Sequence, residues 1–526
     1  MRSLGDRTVD LLVIGGGIIG TGIARDAARR GLSVALIEQA DLASGTSSRP
    51  TRLIHGGLRY LELFDFGLVR SDMKEREILL RVAPHLVFPL PFLLPLYHPS
   101  LIYRAKLRIG MLLYDLLSLD KSLPKREWLG RANALAAEPG LNPVGLAGAW
   151  RFYDAQVPLV ERLVVENAID AAAHGALVLN HAKATGYLRD GDRVTGARVQ
   201  DGIGGHDLAI RARYTVNATG AWLDETIASL RGRTKPLLRL TKGIHLVTPR
   251  ATEQAHVLFA KRDGRLFFVV PWRDYTIVGT TDTDYDGDPA AADATEDDVR
   301  YLQAEARAAF PHAPFDVIHF TWAGIRALVR VDGVAEGEVS RKHALYDHQR
   351  DGIAGVLSVI GGKITAYRAI AEEVADRVAQ TLGVTARGDT SRAPLPGAGA
   401  GVADQAAVLG LPAAVAANLA AVYGSLAARV LDLVAADRSL GEPLCGHEPS
   451  IAAELVYVVD QEWAITLGDA LLRRTGFGLR ACQALDCLDR VAERMGARLG
   501  WDGPRRDTEI AAYRRELAPM RAFTAG

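Results

Sequence analysis

The stretch DLLVIGGGIIGTGIARDAARRGLSVALIE, residues 10–38, decides the fold. Asp10 to Ile14 is a short apolar run, the form of a parallel strand buried on both faces. It enters Gly15-Gly16-Gly17-Ile18-Ile19-Gly20, a GxGxxG loop in register. From Gly22 to Arg30, Ile23, Ala24, Ala27 and Ala28 recur at helical spacing, and Gly31 ends the helix. Ser33 to Ile37 is a second strand, and it ends on Glu38, eighteen residues beyond Gly20. Gly15 permits the tight turn, Gly17 lets backbone approach a pyrophosphate, and Gly20 lets helix and strand pack closely. The helix N-terminus then offers N–H groups and a favourable dipole to the phosphates, while Glu38 is placed to accept from ribose hydroxyls. Strand, loop, helix, strand and acid in this order predict a dinucleotide-binding βαβ unit. They do not choose between NAD and FAD.

The rest of the chain sets bounds. With 526 residues it is long enough for roughly two to four domains. Hydrophobic residues at 48% and charged residues at 24% exclude disorder as the main state. Lys+Arg and Asp+Glu balance at 62 each, so no global charge argues for nucleic acid, and anion binding must come from local clusters. Cys445, Cys482 and Cys487 match neither a zinc spacing nor a disulfide framework, and no metal is expected. No charged-then-apolar signal precedes the first strand, and no run of ~18–20 apolar residues is expected to span a membrane. The nearest, Leu86 to Tyr97, is short and interrupted by Pro89, Pro91 and Pro95. A cytoplasmic chain is expected, though not one indifferent to membranes.

A second nucleotide-domain block reads as helix from Val157 to His174, strand at Ala176 to Leu179, and a meander of Val194 to Gln200 and Leu208 to Val216. The last strand leads into Asn217-Ala218-Thr219-Gly220, where small residues allow backbone close to a cofactor. Between about 236 and 345 the texture is strand-rich, with Asp263-Gly264 joining Val257–Ala260 to Leu266–Val270 as a hairpin. Ile353 to Ile360 is a further strand, followed by a helix from about Thr365 to Leu382. Arg387 to Gly401 is Pro/Gly/Ala-rich and reads as a linker to an Ala-rich helical tail with no catalytic constellation of its own.

The motifs between these elements resemble the FAD-dependent glycerol-3-phosphate dehydrogenases of the respiratory, aerobic type. The resemblance runs through DLASGTSSRPTRLIHGGLRYLE (41–62), EREILL (75–80), APHL (83–86), VNATGAW (216–222), TKGIH (241–245), VGTTD (278–282), GIR (324–326), GGKITAYR (361–368), DQEWA (460–464) and LRRT (472–475). It implies an α/β fold: a Rossmann-like FAD-binding domain, a mixed or antiparallel β-sheet substrate cap, and a C-terminal all-α domain. The expected core spans 1–386, with FAD-binding parts at about 1–85, 150–235 and 346–386 and a cap at about 86–149 and 236–345. A linker at 387–401 and a helical domain at 402–526 follow.

For the cofactor, the resemblance assigns Gly15, Gly17, Ile18, Gly20, Glu38, Gln39, Thr46, Ser47, Ser48, Leu53, His55, Gly56, Gly57, Ala218, Thr219, Gly220, Gly362, Lys363, Ile364 and Thr365 to FAD. For sn-glycerol 3-phosphate it assigns Arg59, Tyr60, His245, Thr280, Arg326, Arg341 and Lys363, with His245, Arg326 and Lys363 as catalytic. A phosphate asks for Arg forks, supplied by Arg326 and Arg341. A secondary alcohol asks for a base beside the reacting carbon, and an imidazole titrating near neutral pH suits that, so His245 is preferred. His55 is its rival, or a flavin contact. Lys363 would stabilise negative charge on the reduced ring. Noncovalent FAD is the default, with a histidyl link through His55 left open. Ala327 departs from the Pro usual in the family.

The implied reaction is oxidation of sn-glycerol 3-phosphate to dihydroxyacetone phosphate, with electrons passing to a membrane quinone. An O₂-using oxidase, or a flavin-dependent amine or amino-acid oxidase, are the alternatives. Leu86 to Tyr97, followed by Arg104, Lys106 and Arg108 among apolar residues, suits a peripheral contact with the cytoplasmic face of a membrane. A buried core segment with a basic rim is the competing reading. A homodimer is also allowed for.

Overall fold

The computed structural model describes residues 8–57, 65–117, 122–231, 235–331, 342–446 and 448–524. Two large sheets organise it. The first has eight strands, and its spine runs Ala344–Asp347, Val356–Ile360, Asp207–Asn217, Thr8–Ile14, Val34–Ile37, Leu177–Leu179. Thr8–Ile14 pairs in parallel with Asp207–Asn217 on one side and Val34–Ile37 on the other. Both strands of the opening βαβ unit are therefore central, and Leu11, Leu12, Val13 and Val34 to Ile37 are buried, as a continuous apolar run requires. The helix Ile18–Arg29 packs Ile23, Ala24, Ala27 and Ala28 onto this sheet. Val160–Ala173 and Tyr367–Leu382 flank it, close to the periodicity-based reading.

The second sheet has ten strands and forms the cap. Its longest antiparallel pairing outside the Phe88–Tyr97 ladder is Leu238 to Val247 of the strand Leu238–Pro249 against Phe320–Val329. The hairpin around Asp263-Gly264 forms as expected, between Ala255–Phe259 and Leu266–Trp272. Leu146–Gln156 pairs with Phe88–Tyr97 throughout, so the division expected near residue 150 falls inside a cap strand and belongs after Gln156. Leu53–Ile54 also joins this sheet, so the chain reaches the cap soon after the second nucleotide-binding strand, Val34–Ile37.

Within Leu86 to Tyr97, Phe88–Tyr97 is a strand with its inner part in the core: Phe92, Leu93, Leu94 and Leu96 are buried. The following helix, Leu101–Leu116, is different, with Leu101 82% and Ile102 83% exposed. Only the second half of the proposed membrane patch is therefore at the surface.

The C-terminal region is helical, with one addition, a two-stranded sheet of Pro443–Cys445 and Glu448–Ile451. Its core includes Val415, Leu419, Val430, Leu471 and Val491, and is continuous with Trp272, Phe320 and Trp322 of the cap. Ala413–Ala436, 24 residues, is long and apolar enough to cross a membrane, contrary to the expectation that no such run exists. In the fold it is two helices, Ala413–Tyr423 and Ala427–Ala436, broken by a turn at Gly424 (φ +57°), with half of it buried.

The expected linker is a docked strap. Arg29 binds Asp389 at 2.7 Å, Arg25 donates to Ala393 O at 2.9 Å, and Gly397 N donates to Glu166 at 2.9 Å. A buried ion cluster fastens the C-terminal domain further. Asp41 accepts from Arg473 (2.7 Å), from Arg474 through two nitrogens (2.7 and 2.8 Å) and from Asn180 (3.0 Å). His181 and Asp469 meet at 3.0 Å beside it.

Candidate active site

A cavity of about 990 Å³ runs between the two sheets, at the upper end of the range for ligand sites. Its nucleotide end is built by the glycine loop. Gly15 sits at φ +112° with Ala218 O 2.6 Å from where a Cβ would stand, so any side chain would strike the second strand-end loop. A Cβ on Gly20 would collide with Gly15 O, which is the close helix–strand packing expected of the third glycine. Glu38 accepts from Gly16 N at 2.6 Å and Ala40 N at 2.9 Å, so it orders the loop as well as facing the cavity. Burial pushes its carboxyl above the usual range, against those two hydrogen bonds. Ser47 Oγ accepts from Ile18 N at 3.0 Å, so one helix N-terminal donor already has a protein partner.

The opposite end lies on the cap sheet. Gly243, His245, Gly324 and Arg326 face the cavity from the paired strands. The Arg326 guanidinium is held by Thr280 Oγ1 (2.7 Å), Thr281 O (3.1 Å) and Asp282 (3.0 Å). It reaches across Gly243, where a Cβ would collide with it. His245 Nε2 lies 2.9 Å from Thr51 Oγ1, its ring is 5.6 Å from Trp322, and its Nδ1 has no hydrogen-bond partner among the described residues. Burial first, then the Arg326 and Arg52 charges, hold His245 well below the usual histidine range. The expectation of an imidazole titrating near neutrality is therefore corrected: in the resting cavity His245 is neutral and a weak base.

Lys363 enters from the Gly361-Gly362 turn, and its Nζ is 2.6 Å from Asp72. Asp72 lies on the helix Phe66–Val82, whose inner face carries a row of buried charges: Glu75 binds Arg368 at 2.7 Å and Arg76 binds Asp154. His55 lines the cavity, its ring edge-on to Phe268 at 5.9 Å, and its backbone N–H donates to Thr365 Oγ1 at 3.1 Å.

The residues expected at the cofactor all line this cavity except three. Gly20 serves packing; Gly56 abuts Met73 and Tyr114, where a Cβ would come within 2.8 Å; Ser48 Oγ donates locally to Gly45 O at 3.3 Å. His245, Thr280, Arg326 and Lys363 line it together. Arg59, Tyr60 and Arg341 lie outside the described residues. Sequence reasoning missed Thr51 and Arg49, which lie within the 41–62 motif, and Asp72, three residues before the 75–80 motif. It also missed Glu516, which reaches the cavity from the helical tail and left no signal.

Comparison with known proteins agrees in order along the chain. The model of the FAD dependent oxidoreductase family matches residues 10–368, and that of the C-terminal domain of alpha-glycerophosphate oxidase matches 388–506. A glycerol-3-phosphate dehydrogenase of Synechocystis sp. is 37% identical, covering 96% of this chain and 95% of the relative. The chain belongs to the FAD-dependent glycerol-3-phosphate dehydrogenase family. Within the family, glycerol-3-phosphate dehydrogenase 2 of Mycobacterium bovis is 38% identical, over 97% of this chain and 88% of its own length. The crystal structure of the glycerol-3-phosphate dehydrogenase from Bacillus halodurans, complexed with FAD, superposes with a TM-score of 0.82. That pair shares 30% identity and covers 98% of this chain and 96% of the other. FAD is thus the cofactor of this family member, and the cavity fits it: side-chain-free backbone at Gly15, an acid at the second strand end, and a length reaching from one sheet to the other.

Proposed function

We propose that the chain oxidises sn-glycerol 3-phosphate to dihydroxyacetone phosphate and passes the electrons to a membrane quinone. The observation that carries this reading is the shared cavity. A pre-set arginine fork, Arg326, and a neutral imidazole, His245, stand on one cap face, in the same space as the glycine loop. FAD, when bound, supplies the acceptor for the hydride of the substrate carbon. Gly15, Gly17, Ile18, Ser47 and Glu38 would hold its nucleotide end, and His55, Gly362, Lys363, Ile364 and Thr365 its ring end.

Thr280 and Asp282 fix the Arg326 fork before substrate arrives, so less rotamer freedom is lost on binding the phosphate. His245, oriented by the Thr51 contact at its Nε2, takes the hydroxyl proton. A bound phosphate dianion offsets the Arg326 charge and makes the imidazole a better base than in the empty cavity. Lys363, held by Asp72 at 2.6 Å, offsets negative charge that accumulates at the ring end.

For the acceptor, the supporting feature is the helix Leu101–Leu116. Leu101, Ile102 and Ile109 are exposed (82%, 83% and 59%) beside exposed Arg104, Lys106 and Arg108, a surface suited to the cytoplasmic face of an anionic bilayer. The test is turnover of glycerol phosphate with liposomes containing a quinone, followed in an oxygen electrode. Quinone reduction with little O₂ uptake supports the proposal. Sustained O₂ uptake without quinone would make the chain an oxidase.

A further inference from the structure

The segment from Gly45 to Thr51 lies across the cavity face of the cap strand Phe320–Val329. Thr46 Oγ1 donates to Ile325 O at 2.6 Å, and Thr51 Oγ1 meets His245 at 2.9 Å. Between them Arg49 sits over Gly324, where a Cβ would lie 3.2 Å from the Arg49 Cβ. Gly324 and Arg326 are two residues apart on one strand and share its face, and Gly324 stands opposite Gly243. The two glycines thus leave the cap face open between the Arg326 guanidinium and the Arg49 backbone.

Arg49 N donates to Thr46 O at 3.1 Å, but, unlike that of Arg326, the Arg49 guanidinium makes no hydrogen bond or ion pair among the described residues, although the residue lines the cavity and is half-buried. Burial pushes its pKa below the ordinary arginine value; Glu516 and Asp293 attract its charge and Arg473 repels it. Glu516, on the cavity wall, is already bound to Arg473 at 2.6 Å, and Arg473 is anchored on Asp41. A partly desolvated guanidinium with its nearest acid committed elsewhere favours an incoming anion.

We infer that Arg49 is a further anion-binding residue of this cavity, taking the substrate's phosphate group on the cap face that carries Arg326, with the Glu516 charge of the C-terminal domain tempering it at rest. The inference rests on glycerol phosphate being the substrate. It makes the C-terminal domain part of the substrate site, because removing the Glu516 charge leaves Arg49 more attractive to the phosphate.

The test uses Arg49→Gln, Arg49→Lys and Glu516→Gln as FAD-loaded full-length proteins, with inorganic phosphate as a second probe. Arg49→Gln is expected to raise KM for glycerol phosphate about ten- to a hundredfold with a smaller change in kcat. It should weaken inhibition by inorganic phosphate by a similar factor and leave FAD retention unchanged. Arg49→Lys should recover part of the loss, and Glu516→Gln should lower KM. An unchanged KM and phosphate inhibition in Arg49→Gln would overturn the inference. So would weakened FAD retention with normal KM after reconstitution, which would assign Arg49 to the cofactor. If wild-type flavin is not reduced by glycerol phosphate, the substrate reading fails. Phosphate binding, followed by perturbation of the flavin spectrum, then still decides whether Arg49 holds an anion.

Discussion

Lys363 Nζ lies 2.6 Å from Asp72 Oδ2, and the Asp72 side chain is completely buried. Burial pushes the Asp72 carboxyl up to about 6 from its ordinary 3.8, with Lys363 opposing the rise and Glu75 and Asp154 adding to it. The folded state therefore binds the proton more tightly than the unfolded chain. This group's contribution to stability is complete below pH ~4 and is lost as pH rises through about 6. Asp72→Asn removes that titration while keeping an acceptor for Lys363. Urea unfolding of the two proteins from pH 4 to 8 should show the wild type losing up to about 3 kcal/mol relative to Asp72→Asn across that window. Parallel pH profiles would contradict it.

His245 is neutral at rest because burial and two arginines disfavour its charge. As the proton acceptor, its replacement by Gln should slow anaerobic flavin reduction by about 10²- to 10⁴-fold, with far less effect on substrate affinity. Stopped-flow reduction across substrate concentrations separates the two. A rate within a few-fold of wild type would return the role to His55.

Gly20 allows no Cβ, because one would collide with Gly15 O. Gly20→Ala should force helix and strand apart and release FAD. The check is the flavin-to-protein absorbance ratio after purification, expected to fall severalfold. Full FAD content in this variant would contradict the packing argument.

Arg474 and Asp41 form a bidentate pair with both side chains fully buried, joining the C-terminal and nucleotide domains. Arg474→Met leaves Asp41 with Arg473 and Asn180, so the loss should fall near the lower end for broken buried pairs, about 3 kcal/mol. Denaturant unfolding monitored by tryptophan fluorescence reads it. A change under about 0.5 kcal/mol would show the pair to be energetically neutral.

The nucleotide unit was legible because its determinants are local: an apolar run, three glycines at fixed spacing, a helical repeat and an acid at the next strand end. His245, Thr280, Arg326 and Lys363 were legible only through family motifs, since nothing in their own flanks brings four distant segments together. Leu86 to Tyr97 shows the limit of composition. One apolar stretch suits a buried strand as well as a membrane contact, and only its pairing with Leu146–Gln156 decides for the strand. Glu516 was illegible for a different reason. It reaches the cavity because Arg473 and Arg474 dock the tail on Asp41, a contact spanning more than four hundred residues of chain.

The most direct test of the central claim is the visible spectrum of the purified protein before and after anaerobic addition of sn-glycerol 3-phosphate. An oxidised-flavin band at about 450 nm is expected to bleach on addition, with dihydroxyacetone phosphate formed in proportion to the flavin reduced. A flavin band that persists would contradict the substrate and leave only the FAD fold standing.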